Sequence, residues 1–270
     1  MSAKTNQPDW DKIAEKFDLW LPQIAPVGDA LLEALDAKPG DHVLDVASGT
    51  GEPALTLARQ THGHVRITGV DAAEGMVKVA QGKVHKDRLE HISFQTMPAE
   101  TLDFKEGSFD KVLCRFGVML FANPEKGLKE MQRVLKPGGR FALAVWSTPE
   151  TMPSMYWTHQ VMKNRLHEDL HPPLAKVTSL GGEGVLEKML QQAGFSQFTV
   201  AVKEVHYDFP SFDAYWDVVE ASDILKLQYD ALPKEDRATI RDEIAQFARD
   251  YIGPNGLRVP HQYLLATGVK

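Results

Sequence analysis

The chain has 270 residues, enough for one enlarged domain or a domain with a lid. Hydrophobic residues make up 43% and charged residues 25%, an ordinary globular balance, and no stretch reaches the roughly 20 apolar residues of a membrane span, so no stable membrane insertion is expected. A formal net charge of -7 without a basic arm speaks against a nucleic-acid partner, and a single cysteine, Cys114, excludes an internal disulfide framework and any multi-cysteine metal site.

The opening segment, MSAKTNQPDWDKIAEKF, is polar and holds no apolar signal core, so a cytoplasmic location is expected. Trp10, Ile13, Phe17 and Trp20 recur at spacings of three and four, which predicts a helix with one apolar face. Pro22 and Pro26 read as breaking it. A second helix carries Leu31, Leu32 and Leu35 and stops at Lys38-Pro39-Gly40. The first strand, His42 to Ala47, ends in Ser48-Gly49-Thr50-Gly51, and Glu52-Pro53 opens the next helix. A second strand, Val65 to Val70, ends at Asp71 and leads into a helix with Met76, Val77 and Ala80. Lys83, Lys86 and Arg88 cluster near His85 and read as a solvated helix end. The third strand is His91 to Gln95, and the fourth is Phe109 to Cys114. Asn123 caps a helix with Pro124 at its first position and Leu128, Met131 and Leu135 on its inner face. Lys136-Pro137-Gly138-Gly139 ends that helix before the fifth strand, Arg140 to Trp146.

Strand-helix alternation sustained five times argues for a parallel sheet covered on both faces. The organisation expected is one domain: an N-terminal helical cover over 9–37, a core over 41–147, a helical insertion over 149–180, and C-terminal strands with a second helical insertion over 182–270. In that last part Ile240, Ile244, Phe247 and Tyr251 form a stripe read as core.

The sharpest local signal is Asp45-Val46-Ala47-Ser48-Gly49-Thr50-Gly51. Glycines permit a tight turn and let a ligand approach the backbone, and the following helix offers unpaired amides. Asp71 lies in register at the end of the second strand, where a carboxylate can accept from both hydroxyls of a ribose. Gly49-x-Gly51-x-x-Ala54 also matches a dinucleotide fingerprint, so two nucleoside ligands fit this layout.

The context of that turn resembles the class I S-adenosylmethionine-dependent methyltransferases, and within them the type-11 branch of ubiquinone and menaquinone biosynthesis enzymes and small-molecule methyltransferases. The likeness rests on five features in order: the helical segment Trp10 to Leu35, Asp45 heading VLDVASGTGEPAL, Asp71 in GVDAAEGM, Ser108-Phe109-Asp110, and Leu135 to Gly139. It implies an α/β fold, a Rossmann-like seven-stranded, mostly parallel sheet with helices on both faces, the last strand antiparallel, and helical insertions. It implies that backbone around Ala47, Ser48, Gly49 and Gly51 lines the methionine part of the cofactor, with Asp45 holding the loop or reaching the ammonium through water. Asp71 would bind the ribose, Ala72 and Met76 would pack on the adenine, and Ala99 and Glu100 would contact its edge. Cys114, Arg115 and Phe116 would lie near the methionine group, with Trp20 covering the cofactor. Pro98 stands where relatives often have Asp, which leaves backbone contacts for the adenine amino group, and Ser48 stands where they often have Cys or Gly.

The cofactor so implied is S-adenosylmethionine, with no metal expected, and the partner is a small-molecule methyl acceptor. Met152, Met155, Tyr156, Trp157 and Met162 in the insertion favour an apolar acceptor. His159, His167 and His171 lie in the same segment, but no base is nominated among them. His62-Gly63-His64 reads as a surface loop and Cys114 as a buried small hydrophobe. Two rival readings stand beside methyl transfer: a nicotinamide-dependent oxidoreductase, and a non-catalytic S-adenosylmethionine-binding protein.

Overall fold

The computed structural model describes residues 8–270; residues 1–7, where the polar opening segment begins, lie outside them. Helix α1 (Trp10–Phe17) starts at Asp9, whose side chain accepts from the Lys12 amide. One 3-10 turn, Asp18–Trp20, joins it to α2 (Leu21–Leu35). Pro22 therefore opens α2 instead of ending a helix, because first-turn amides have no acceptor inside the helix. Pro26 sits inside α2 without stopping it. Its missing amide removes one helical bond, and burial of Val27, Leu31 and Leu35 on the same helix outweighs that loss.

The chain then alternates through β1 (His42–Val46), α3 (Ala54–Thr61), β2 (Arg66–Asp71), α4 (Glu74–Asp87), β3 (Ile92–Thr96), β4 (Phe109–Arg115), α5 (Pro124–Val134) and β5 (Leu135–Trp146). Asn123 caps α5 by accepting from the Lys126 amide, with Pro124 in the first turn, as the sequence predicts. Leu135 to Gly139 departs from expectation. It joins β5 through a Phe109–Leu135 pairing and a register shift, and the Gly138 amide donates to the carbonyl of Lys270. After β5 come α6 (Pro153–Met162), α7 (Leu174–Val177), α8 (Val185–Gln192), β6 (Gln197–Phe209), α9 (Phe212–Ala221), α10 (Lys226–Ala231), α11 (Lys234–Ala248), β7 (Ile252–Gly253) and β8 (Gly256–Val269).

The sheet runs β3-β2-β1-β4-β5-β8-β6, with the two-residue β7 pairing only with β8. Strands β1 to β5 pair in parallel, and β8 is antiparallel to both β5 and β6. The mostly parallel sheet with an antiparallel last strand is thus present, and β7 adds an eighth short strand to the seven expected. Strand order reverses between β1 and β4, which opens a crevice beyond their carboxyl ends.

A second consequence of the topology is less visible in the sequence. Trp146, the last residue of β5, pairs with Tyr263, but the β6–β8 ladder continues to Phe209 and Leu257. This two-stranded ribbon overhangs the carboxyl edge of the sheet and carries Tyr207 and His261 above it. Its strand β8 alternates strictly there, with Leu257, Val259, His261 and Tyr263 buried and Arg258 exposed.

One continuous apolar core runs from α2 to β8 and includes Leu31, Leu44, Leu113, Phe141 and Phe195. A smaller cluster of Ile13, Ala14, Ala73 and Met76 fixes α1 against α4. In α11 the expected stripe is core only in part: Ile240 and Ile244 are buried, Phe247 is exposed, and Tyr251 beyond it packs on Trp157 at 5.2 Å.

Candidate cofactor and acceptor site

The turn after β1 is shaped by its own backbone. Ser48 donates its amide to Val70, and Gly51 donates back to the Ser48 carbonyl at 2.9 Å. Ala47, Gly49 and Gly51 all hold positive φ, at 55°, 53° and 102°. The two glycines do different work. A Cβ on Gly51 would lie 2.6 Å from Leu55 and 3.2 Å from Ala80, so Gly51 lets α3 and α4 close beneath the turn. A Cβ on Gly49 would meet nothing within 4 Å, which leaves open space above the turn.

Asp71 faces that space. Its Oδ2 accepts from the Gly49 amide at 2.8 Å and its Oδ1 from the Ala73 amide at 2.9 Å. Burial raises its pKa, while these two backbone donors pull it back. The carboxylate thus points at the turn, and lone pairs remain on both oxygens.

A cavity of about 500 Å³ spans the crevice. Trp20, Ala47, Ser48, Gly49, Asp71, Ala72, Met76, Ala99, Glu100, Arg115 and Phe116 all line it. Asp45, Gly51 and Cys114 do not; Gly51 lies under the turn, and Asp45 and Cys114 are buried. The Cys114 thiol is pushed up to about 12 by burial and then by Asp45, which leaves a neutral space-filling group. Among the described residues neither Asp45 carboxylate oxygen has a hydrogen-bond partner, and burial drives this carboxyl up to about 8 against the opposing pull of Arg115. Arg115 donates instead to the Glu52 carbonyl at 2.8 Å and reaches the Ile24 carbonyl, which ties β4 to α2 and the β1 turn.

From β2 towards β6 the cavity changes character. Over β2 and β3 it is a slot of Trp10, Phe17, Ala72, Met76, Met97, Pro98 and Ala99. Glu100, at its rim, accepts from the Asn123 amide at 3.0 Å. Over β5, β8 and β6 the wall is Phe116, Trp146, Tyr207 and Tyr215, with Ser154, Met155 and Thr158 from α6. Phe116, at a φ of 59°, stacks on Trp146 with ring centroids 3.7 Å apart. A non-glycine residue held there costs on the order of 1–3 kcal/mol, a strain that marks ligand sites.

The N-terminal segment roofs the cavity through specific contacts. Thr50 donates its hydroxyl to Asp18 at 2.6 Å, and Lys83 binds both Asp18 and the Thr50 carbonyl. Lys83 is therefore a docking residue, not part of a solvated helix end. Asp11 accepts from the Gly75 amide at 2.6 Å, and Lys16 pairs with Asp223 beyond α9. The indole nitrogen of Trp20 is buried and has no hydrogen-bond partner among the described residues.

In the insertion, only Met155 of the expected acceptor-side residues lines the cavity. Met152, Trp157 and Met162 are core, Tyr156 is exposed, and His159 packs against His171 with centroids 5.6 Å apart. Sequence reasoning missed Ser154, Thr158, Tyr207 and Tyr215. The signal for Tyr207 was the length of the strand ending at Phe209, which outruns its neighbour.

The family model of the ubiE/COQ5 methyltransferase family matches residues 16–172, more than half of the chain. The ubiquinone/menaquinone biosynthesis C-methyltransferase UbiE of Geobacter sulfurreducens is 44% identical over 113 residues, covering 42% of this chain and 44% of that protein. The enzyme of that name from Geotalea uraniireducens is 37% identical over 152 residues, covering 52% and 65%. The chain thus spans about half to two thirds of the length of these relatives. Among solved structures, YcgJ from Bacillus subtilis superposes with a TM-score of 0.62 at 22% identity, over 91% of this chain and 98% of that one. At that identity the likeness concerns the fold.

Proposed function

The chain belongs to the ubiE/COQ5 methyltransferase family, and from that premise we propose that it binds S-adenosylmethionine and transfers the methyl group to a small, apolar acceptor. The observation that carries this reading is that Asp71 and the open face of Gly49 meet at one cavity, 2.8 Å apart, between an apolar slot and an aromatic wall.

The residues fit such a cofactor on their own geometry. Asp71 has lone pairs left for two ribose hydroxyls. The slot of Ala72, Met76, Met97 and Pro98 accepts a flat apolar base. With Pro98 at this wall, backbone groups at Ala99 and Glu100 are left to meet the base edge. The turn from Ala47 to Gly49 lines the cavity with backbone and small side chains, which leaves room for the amino-acid part of the cofactor. Trp20 closes the space above.

The cofactor supplies an activated methyl group on a sulfonium. The protein aligns the acceptor with it and excludes water. Trp146, Phe116 and Tyr207 line the region beyond the turn, where aromatic rings stabilise cationic charge. Arg115 and Glu52 also line the cavity, but Arg115 spends its guanidinium on the Glu52 and Ile24 carbonyls, so the wall at Trp146 and Tyr207 is mainly aromatic and suits an uncharged acceptor.

Calorimetric titration with S-adenosylmethionine and, in parallel, with NADH tests the reading. Binding of the first and not the second is expected. Binding of NADH alone would replace the proposal with the oxidoreductase reading. Incubation with labelled donor and a panel of quinols, phenols and fatty acids then separates an enzyme from a binding protein, which would transfer nothing.

A further inference from the structure

The overhanging ribbon carries one polar group that methyl transfer does not use. His261 lies in the buried, otherwise apolar face of β8, fully shielded from solvent. Its Nδ1 is 3.1 Å from the carbonyl of Val259, which only accepts, so Nδ1 carries the proton. Nε2 is then an acceptor, and the Ser154 hydroxyl donates to it at 2.7 Å. Burial, then the charge of His206, depresses the imidazole to about 4. The ring stays neutral at working pH and does not compete as a donor. Tyr207 stacks on it with centroids 4.1 Å apart and fixes its plane.

The outcome for Ser154 is directional. This serine lines the cavity, yet its only proton is committed to His261. What it turns to a ligand is lone pairs. Thr158, one turn on along α6, is held the same way, since its hydroxyl donates to the Ser154 carbonyl at 3.0 Å. The phenols of Tyr207 and Tyr215 line the same wall, but at Ser154 itself a ligand meets an acceptor.

We propose that Ser154, oriented by His261, is the residue that selects the methyl acceptor by receiving a hydrogen bond from a hydroxyl on a neutral, apolar molecule. Ser154 is the contacting residue, and His261 is a positioning residue that acts through it. The assignment rests on the methyl-transfer reading for its role, and on the Ser154–His261 geometry for its chemistry.

The test uses the full chain and two probes with one ring system, 2-naphthol and its methyl ether 2-methoxynaphthalene, which lacks the donor and is larger by one methyl group, titrated by fluorescence with and without S-adenosylhomocysteine. Wild type should bind the donor probe roughly tenfold more tightly than its methyl ether. Ser154→Ala should erase that preference and leave affinity for S-adenosylhomocysteine unchanged. His261→Asn should free the serine proton and shift the preference towards the ether, a change that mere loosening of the wall does not produce. If His261→Asn fails to fold, the Ser154→Ala arm decides alone. Equal binding of the probes in wild type, an intact preference in Ser154→Ala, or no binding of either would overturn the proposal. Failure of S-adenosylhomocysteine to bind would instead overturn the methyl-transfer reading, and the probe arm run without it would still judge Ser154.

Discussion

Replacing Asp71 with Ala separates the two tasks given to its carboxylate. In the structure it accepts from two partly buried amides, Gly49 at 2.8 Å and Ala73 at 2.9 Å. Removing it leaves both donors without a protein partner, and a loss of about 2–4 kcal/mol of stability is expected. For a chain of this size that lowers the melting temperature by on the order of 10 °C. If the same carboxylate also holds a ribose, cofactor binding weakens by a further 1–3 kcal/mol or so, about 5- to 150-fold in Kd. The assay is calorimetry with S-adenosylhomocysteine well below the variant's melting temperature, together with a thermal melt. Both quantities should fall. A lowered melting temperature with an unchanged Kd would show that Asp71 only braces the turn, and the ribose assignment would be wrong.

The two glycines should part company. Gly51→Ala drives a Cβ into Leu55 and Ala80 at a φ of 102°, so stability should drop by roughly 2 kcal/mol or more in a denaturant melt. Gly49→Ala meets no protein atom and should cost about 1 kcal/mol of stability, but its methyl enters the cavity and should cost more in cofactor affinity than in folding. Asp45 makes stability depend on pH in a defined direction. Its folded pKa of about 8 exceeds the ordinary 3.8, so the folded state holds the proton more tightly and loses stability as pH rises between those values. Asp45→Asn removes that slope, and its melting temperature relative to wild type should climb from pH 5 to pH 8; a constant difference would contradict the shift. Thr50→Val breaks the hydroxyl bond to Asp18 that pins the N-terminal roof, and S-adenosylhomocysteine should dissociate several-fold faster in stopped flow, with the melting temperature little changed.

The parallel half of the sheet was legible because each strand is a short apolar run closed by a turn residue, and each crossover helix shows its period. The meeting of Asp71 and Gly49 was readable for the same reason: both follow strand ends, and the strand ends are marked. Misreadings arose where tertiary contacts override local signals. Pro22 and Pro26 look like breakers, yet one sits where no amide bond is needed and the other on a helix held by buried Val27, Leu31 and Leu35. Lys83 looks like a surface charge until the N-terminal roof brings Asp18 beside it.

The acceptor end was harder to read. Aromatic residues in the insertion drew attention to Tyr156 and Trp157, but helical phase turns the small polar residues Ser154 and Thr158 to the cavity. The overhang of β6 and β8 was hidden because the last strand begins at Gly256, before the apolar run that signals it. Two clues were present. Pro254-Asn255-Gly256 is a turn sequence, and the alternation Leu257, Val259, His261, Tyr263 places a histidine in an apolar face.

The proposed function stands on where an adenosyl amino acid lies, and a crystal structure of wild type grown with S-adenosylhomocysteine measures that directly. The expected density has ribose hydroxyls on Asp71, adenine between Met76 and Pro98, the amino acid along Ala47 to Gly49, and sulfur turned towards Trp146. Density for the nucleoside elsewhere, with Asp71 still bonded only to Gly49 and Ala73, would contradict it.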